Sequence, residues 1–574
     1  MANLPISILP NVTTSGVTPN DLLVIVNYDV PSGTTKNITA LDLQTYTTSG
    51  LTNDIITGAT YSGGTLILNT PGGGISITGF TSGTTLYEVG SGVDSTQRIG
   101  VADNAAGDYS AVLGGSGNTV GDNFSSIVGG ENNLINNNHS FIGGGYNNIT
   151  GLYCSFIGGG AYNESSGIAS SISGGYCNIT GIDSFTYIGG GRNNTIRTES
   201  STIGGGSFNT IDCITSSGYD VHGSTIGGGF SNTISSCSGY YDVYGNTIAG
   251  GTNNKIVTNN SLNAQTIGGG YLNITNCDFS TISGGYSNIS CGPYSTIGGG
   301  GTNTTYGQSS VIGGGETNTI VNCNSVIGGG MLNVVNNQNS TISGGYCNTV
   351  LGDNSTIGGG NSNSAMYCIS TIGGGSGNTA GSFSIIGGGI INYARSEYSF
   401  IGGGCNNTTW NERSVIGGGI SNTTSCNYSS IVGGHSNIAR SNFSIIGGGC
   451  SNSIASEAIY STILGGCNNN ITGAASSLIG GYNNKIEGLY STIGGGCNNT
   501  ITKDYSGILG GSGNTSTHNY SFIIGCGISS TSTNTLHINC LNIKDIPVDP
   551  APATLPLGTI YRCSTDSNRL YICV

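Results

Sequence analysis

Charge is scarce in this sequence: 13 Lys and Arg and 27 Asp and Glu are spread thinly over 574 residues. Without a basic stripe, a phosphate backbone or an anionic lipid surface has nothing to pair with, so neither nucleic acid nor a membrane surface is an expected partner. No apolar run approaches the roughly 18 residues of a membrane helix, which argues against membrane insertion. The opening segment Met1-Ala-Asn-Leu-Pro-Ile-Ser-Ile-Leu-Pro10 lacks the basic start and continuous apolar centre of a secretion signal. The five His are scattered with no Ser/His/Asp or Cys/His grouping, and the carboxylates are too sparse for a paired-acid site. There is no CxxC pair and no zinc spacing, and no regularly placed Asp of a calcium-binding β-roll. The Gly-rich turns are followed by neither Lys-Ser/Thr nor a helix, so they are not phosphate loops. The sequence therefore predicts no catalytic residue, no metal, no cofactor and no enzyme.

What the chain has is period. Gly occurs 105 times, a composition that without order would mean disorder. From about residue 110 to about 520 one unit recurs roughly 26 times, mostly every 15 residues or so. Ser325-Val-Ile327-Gly328-Gly329-Gly330-Met-Leu-Asn333-Val334 is a clean instance. With the aliphatic residue as anchor, every unit from Val112 to Ile508 has Gly two and three positions on and Asn six positions on. Ser stands two positions before the anchor in nearly all of them.

Each part of the unit has a physical reading. Ser-x-Ile is a short strand, too brief and Gly-bounded for a helix. The paired glycines mark a corner that needs positive φ or close backbone approach. Asn-x-(Ile/Val/Ala/Thr) is a second strand, and stacked coils would set the Asn amides one above another to hydrogen-bond along a ladder. The expectation is an all-β fold, a parallel β-solenoid (β-roll) of coils of about 15 residues. With strands about 4.8 Å apart, the coils would build a rod on the order of 125 Å. So thin a coil is expected to need other copies to bury its apolar anchors, which predicts a homotrimer. Most of the 18 Cys fall one per repeat: Cys405, Cys450, Cys467 and Cys497 after the glycines, and Cys213, Cys277, Cys323 and Cys426 late in the unit. They read as small half-buried thiols, with cross-links between coils or chains as the alternative.

The unit Ser-x-Ile-Gly-Gly-x-x-x-Asn-x-(Ile/Ala) resembles the head repeats of trimeric autotransporter adhesins, which wind three chains into a left-handed parallel β-roll. That resemblance covers about 400 residues of the chain. It implies a trimeric, adhesive shaft. The heavier Gly-Gly-Gly and Asn-rich second strand depart from that pattern, and that family's stalk and membrane barrel are not seen. Residues 3–46, with Ile6-Ser-Ile-Leu-Pro10, Asn20-Asp-Leu-Leu-Val-Ile-Val26 and Thr34-Thr-Lys-Asn-Ile-Thr-Ala-Leu-Asp-Leu43, resemble the N-terminal attachment segment of phage tail-fibre proteins. Gly58 to Thr70 and Gly72 to Phe80 look like linker repeats in fibre proteins of marine viruses.

The expected organisation is an attachment module over 1–48, a β linker over 49–105, the shaft over 106–525 and a small β cap over 526–574. In the cap, Thr535 to Asn539 and Leu541 to Ile543 read as strands, while Gly558 to Arg562 and Leu570 to Val574 read as a hairpin whose turn Cys563 and Cys573 flank. Candidate receptor contacts are loops inserted into the shaft, because binding concentrates on loops leaving a rigid scaffold. They are Tyr219, Asp220 and His222 in one insertion, Tyr240, Tyr241, Asp242 and Tyr244 in the next, and the sole Trp, Trp410, in its own loop. The resemblances together imply a virion-surface fibre, extracellular, attached through its N-terminus to a virion or tail protein and contacting a host glycan or protein. A microbial cell-surface or matrix adhesin and an ice- or crystal-binding solenoid are the alternatives.

Overall fold

The computed structural model describes residues 38–39, 58–62, 65–70, 73–78, 87–93, 95–98, 103–213, 221–236, 243–258, 264–539, 560–562 and 570–572. Those residues form strands, bridges and turns, with no helix among them. The chain divides into two units, Met1–Asn133 and Leu134–Val574. In the first, Ile38–Thr39, Gly58–Ser62, Thr65–Thr70 and Gly73–Thr78 make an antiparallel sheet in sequence order. Tyr87–Val89 then pairs antiparallel with Thr96–Arg98, and Thr96 pairs in parallel with Ala111, so parallel stacking begins before residue 106.

The second unit is a parallel β-solenoid of coils of about 15 residues, as the period predicted. Two columns of two-residue strands run through it. Phe141–Ile142 lies on Phe156–Ile157, and Ile149–Thr150 on Glu164–Ser165; the same register then repeats coil after coil. A third column of single parallel bridges passes through the residue after the glycines, such as Met331 to Tyr346.

The coil from Ser325 to Asn339 shows why these residues wind this way. Alternation along each strand turns Ser325, Ile327, Asn333 and Val335 inward, and all four are fully buried. Strand N–H groups donate forward to the next coil: Val326 to the Ser340 carbonyl at 2.9 Å and Val334 to the Asn348 carbonyl at 2.8 Å. The inward Ser and Asn cannot follow that rule, and their N–H groups point back. The Asn333 N–H reaches Asn318 Oδ1 at 3.0 Å, and the Ser325 N–H reaches Ser310 Oγ at 3.2 Å. A side-chain oxygen of the same residue type one coil earlier thus replaces a missing carbonyl. The Asn333 amide nitrogen also donates to Asn318 Oδ1 at 3.0 Å, to the Gly329 carbonyl at 3.0 Å and to the Gly345 carbonyl at 2.9 Å. Buried polar groups are tolerated when they are satisfied this fully.

In most coils two non-glycine residues have positive φ, here Leu332 at 58° and Asn339 at 55°. Each costs about 1–3 kcal/mol in isolation. Their N–H groups too donate backward, Leu332 to the Glu316 carbonyl and Asn339 to the Cys323 carbonyl, both at 3.0 Å. The stack therefore over-determines the conformation.

One expectation is corrected. The anchors do not need other copies for burial: Ile142, Ile327, Ile416 and Ile493 are all fully buried within the single chain. In the anchor column each inward Ile is stacked on an aliphatic residue of the next coil, as Ile327 on Ile342 and Ile463 on Leu478, and the Asn strand faces it across the coil.

The end of the stack also differs from the expected cap in one respect. Leu536–Ile538 still pairs in parallel with Phe522–Ile524, so it adds a rung to the column. The Asn ladder does stop: the Asn514 Oδ1 accepts from Ile528, at 3.0 Å, with no Asn above it. Ile560–Arg562 and Leu570–Ile572 form the expected antiparallel hairpin. Cys563, Cys573 and the segment Leu541 to Ile543 lie outside the described residues.

The three glycines of a coil are not equivalent. Gly330 has φ 86°, and a Cβ there would stand 2.1 Å from the Gly345 carbonyl oxygen; Gly329 faces open space. A Cβ on Gly328 would meet the Ser343 carbonyl oxygen at 2.3 Å, yet Ser173, Ser283 and Ser343 themselves occupy this first position in other coils. Gly330→Ala is therefore expected to lower the melting temperature and speed hydrogen exchange in the coils from 318 to 350, whereas Gly328→Ser should change both little. Asn333→Ala should resemble Gly330→Ala, since each polar partner left dry costs about 1–3 kcal/mol.

Candidate functional site

Because the inward positions are committed to the stack, recognition is left to the side chains that point out. The outward rows repeat at the spacing of strands, about 4.8 Å, so like residues at like positions stack into columns. The most developed column lies at the positive-φ residue just before each inward Ser. Phe383 and Tyr398 stack with ring centroids 4.9 Å apart and planes within 18°. Tyr428 and Phe443 follow at 4.8 Å, and Phe443 and Tyr460 at 5.2 Å.

Between the two aromatic runs the same position holds Arg413. Its guanidinium carbon sits 5.5 Å from the Tyr398 ring centre and 5.3 Å from that of Tyr428, so the cation joins the two stacks. Arg413 Nη1 also donates to the Tyr428 hydroxyl at 2.7 Å. The result is six consecutive coils with a planar group at one corner. A second run, Tyr490, Tyr505 and Tyr520, repeats the geometry with spacings of 5.1 and 4.9 Å.

Trp410 belongs to the same corner. It is about half exposed, and the Arg395 guanidinium of the preceding coil covers its ring at 4.2 Å. Arg395 also lies 5.1 Å from the Tyr393 ring centre. The Ser396 hydroxyl donates to the Trp410 carbonyl and fixes the backbone there. Beside them is a shallow depression of about 300 Å³ lined by Tyr367, Ser382, Arg395, Ser396, Glu397 and Glu412. One ring, Tyr367, two carboxylates and the Arg395 guanidinium thus line one opening, and Trp410 lies under that guanidinium.

Of the other residues singled out in the sequence, His222 is half-buried, with Nδ1 3.4 Å from Glu199 Oε2. Val221–His222 pairs in parallel with Val243–Tyr244, so the two insertions return to the shaft through a small sheet of their own. Tyr219, Asp220, Tyr240, Tyr241 and Asp242 lie outside the described residues, as does the side chain of Tyr244.

The sequence reading missed the aromatic column. Its signal was present in the residue before each Ser of the unit, which is Phe383, Tyr398, Tyr428, Phe443, Tyr460, Tyr490, Tyr505 and Tyr520. Read coil by coil they look scattered; only stacking makes them neighbours.

Among the described residues no group of three His, Cys, Asp and Glu is placed to hold a metal ion. His518 Nδ1 lies 3.1 Å from the Ser530 hydroxyl, but that hydroxyl is buried and accepts the Thr517 N–H at 2.8 Å. This pair closes the end of the stack. The Asn-x-Ser/Thr sequons at Asn148 and Asn178 sit in the ladder, fully buried, with their amide nitrogens bonded to glycine carbonyls.

No protein-family model and no curated protein matches this chain.

Two outcomes are expected. Trp410 is the only Trp, so its fluorescence isolates this corner: Arg395→Ala should uncover the ring and shift its emission to the red. Folded protein made in a secretory host should carry no glycan on Asn148 or Asn178, as mapped by mass spectrometry.

Proposed function

We propose that this chain is a structural fibre that projects from a virion and adheres to a host surface through planar side chains displayed along its coils. The observation that carries the adhesive part is the stretch from Phe383 to Tyr460, where the rings and Arg413 stand in one column, with Arg395 over Trp410 and the carboxylates of Glu397 and Glu412 nearby. A sugar ring offers an apolar C–H face and a rim of hydroxyls. Exposed Trp and Tyr faces suit the first, and carboxylates with a guanidinium suit the second. A surface glycan is therefore the favoured target. The virion part rests on the resemblance of residues 3–46 and of the shaft repeat to fibre proteins.

Self-association into a homotrimer belongs to the same reading, on different grounds from those first expected. Ile385, Phe400 and Val415 form an outward row in parallel register, each roughly two-fifths exposed. Ile390 and Ile420 add exposed apolar surface at the bridge position. Contiguous apolar rows of this kind mark interaction surfaces. Three copies on one rigid shaft would also gain avidity from weak single contacts.

A second reading has one specific observation in its favour. Thr202, Thr225, Thr247, Thr266, Thr281 and Thr296 form an outward column in strict register, as a lattice-binding surface requires. It is a single file, with a buried Ser, Asn or Gln before and a buried Ile after each Thr along its strand.

The experiment measures adsorption of the fibre to host cells and glycan binding by Trp410 fluorescence. The double variant Arg395→Ala/Trp410→Ala should lose most adsorption while keeping its melting temperature. Undiminished adsorption would move the contact to the insertions, tested by deleting 215–223 and 236–245 together, or to the residues beyond Ile543. Thermal hysteresis in dilute solution would favour the lattice reading, and light scattering at the mass of a single chain would remove the trimer.

A further inference from the structure

Three successive coils place His435, Cys450 and Cys467 at one position, the residue after the third glycine, bridged in parallel as His435 to Cys450 and Cys450 to Cys467. Residues in register on adjacent strands stand about 4.8 Å apart, within the roughly 4.4–6.8 Å between Cα atoms that a disulfide spans. Both thiols are half-buried and free. Cys450 Sγ lies 3.6 Å from His435 Nδ1 and 3.5 Å from the Ser451 hydroxyl. Of the other cysteines of this column, Cys497 meets the Ser512 hydroxyl at 3.1 Å, but neither it nor Cys405 has an imidazole or a second thiol in register beside it. Cys405 lies between Ile390 and Ile420, and Cys497 between Tyr482 and Ser512.

We propose that Cys450 and Cys467 are an oxidation site, a staple between consecutive coils that closes by exchange with a low-molecular-weight disulfide such as oxidised glutathione. The chemistry runs in two displacements. Cys450, its proton taken by His435, attacks one sulfur of the small disulfide; a mixed disulfide forms on Cys450 and one glutathione thiolate leaves and is protonated. Cys467 then loses its proton to solvent and attacks Cys450 Sγ; the second glutathione leaves as thiolate. Two protein thiols are oxidised and one small disulfide is reduced to two thiols.

The order of attack follows from the surroundings. The Ser451 hydroxyl and then the His435 imidazole hold the Cys450 thiol below its ordinary range, which favours the attacking thiolate. Burial, and then the neighbouring Cys450, push Cys467 up, which suits the resolving partner. Cys277 and Cys291 also lie on neighbouring coils, but burial raises both thiols.

The test incubates the full chain with oxidised glutathione at near-neutral pH, then maps peptides by mass spectrometry. The expected product links Cys450 to Cys467, with a chain mass lower by two hydrogens. Cys467→Ser should instead accumulate glutathione on Cys450. His435→Gln should slow the first step and move its pH–rate profile to higher pH, because only the Ser451 hydroxyl then favours the thiolate. Three results would overturn the proposal: glutathione remaining on Cys450 of the unaltered chain, a Cys450 link to another chain, or modification spread evenly over the other cysteines.

Discussion

The structure depends on one constraint: every backbone N–H inside a coil too narrow for water must find an acceptor in the coil above or below. Strand residues meet it by pairing forward. The inward Ser and Asn face backward, where no carbonyl is free, and their own side chains one coil earlier supply the oxygen, as Asn318 does for Asn333 and Ser310 for Ser325. A buried amide with all its capacity used is worth keeping, because the unsatisfied alternative costs about 1–3 kcal/mol per group. The repeat is therefore a polar ladder as much as an apolar one. Where the ladder begins, Asp103 takes the place of Asn and accepts from the Asn118 N–H at 2.8 Å. An end residue needs to accept from one side only.

That constraint fixes the inward side chains and frees the outward ones. Four residues of each coil are spent on the core, the third glycine on the corner, and the remainder meet solvent. Stacking then converts sequence similarity into surface columns. A residue type repeated at one position becomes a continuous stripe, as the aromatic corner and the Thr column show. A change of type at one coil becomes a local feature within a stripe. Arg413 inside an aromatic stack and Cys450 beside His435 are two such features. The same logic gives a regular scaffold a varied surface. Its backbone is uniform, and its chemistry is written in the substitutions between coils.

The sequence by itself determined the coil. The interval from Ile327 to Ile342, the glycines that follow and the Asn six positions on are local, so strands, corner and ladder could be read from them, down to the hydrogen bonds between the Asn amides. The inserted loops and Trp410 were also visible as breaks in the period. What only the tertiary structure decided is what lies beside what across coils. Burial of the anchors within one chain is such a fact, because it depends on how closely the Asn strand closes over Ile327. The roles of the three glycines are another, since only the folded backbone shows that Gly330 combines positive φ with a carbonyl, that of Gly345, where a side chain would stand. The Arg395–Trp410 and Cys450–Cys467 neighbours are of the same kind. Their partners stand about one strand spacing apart in space but a whole coil apart in the chain, and a periodic sequence shows that separation only once the coils are stacked.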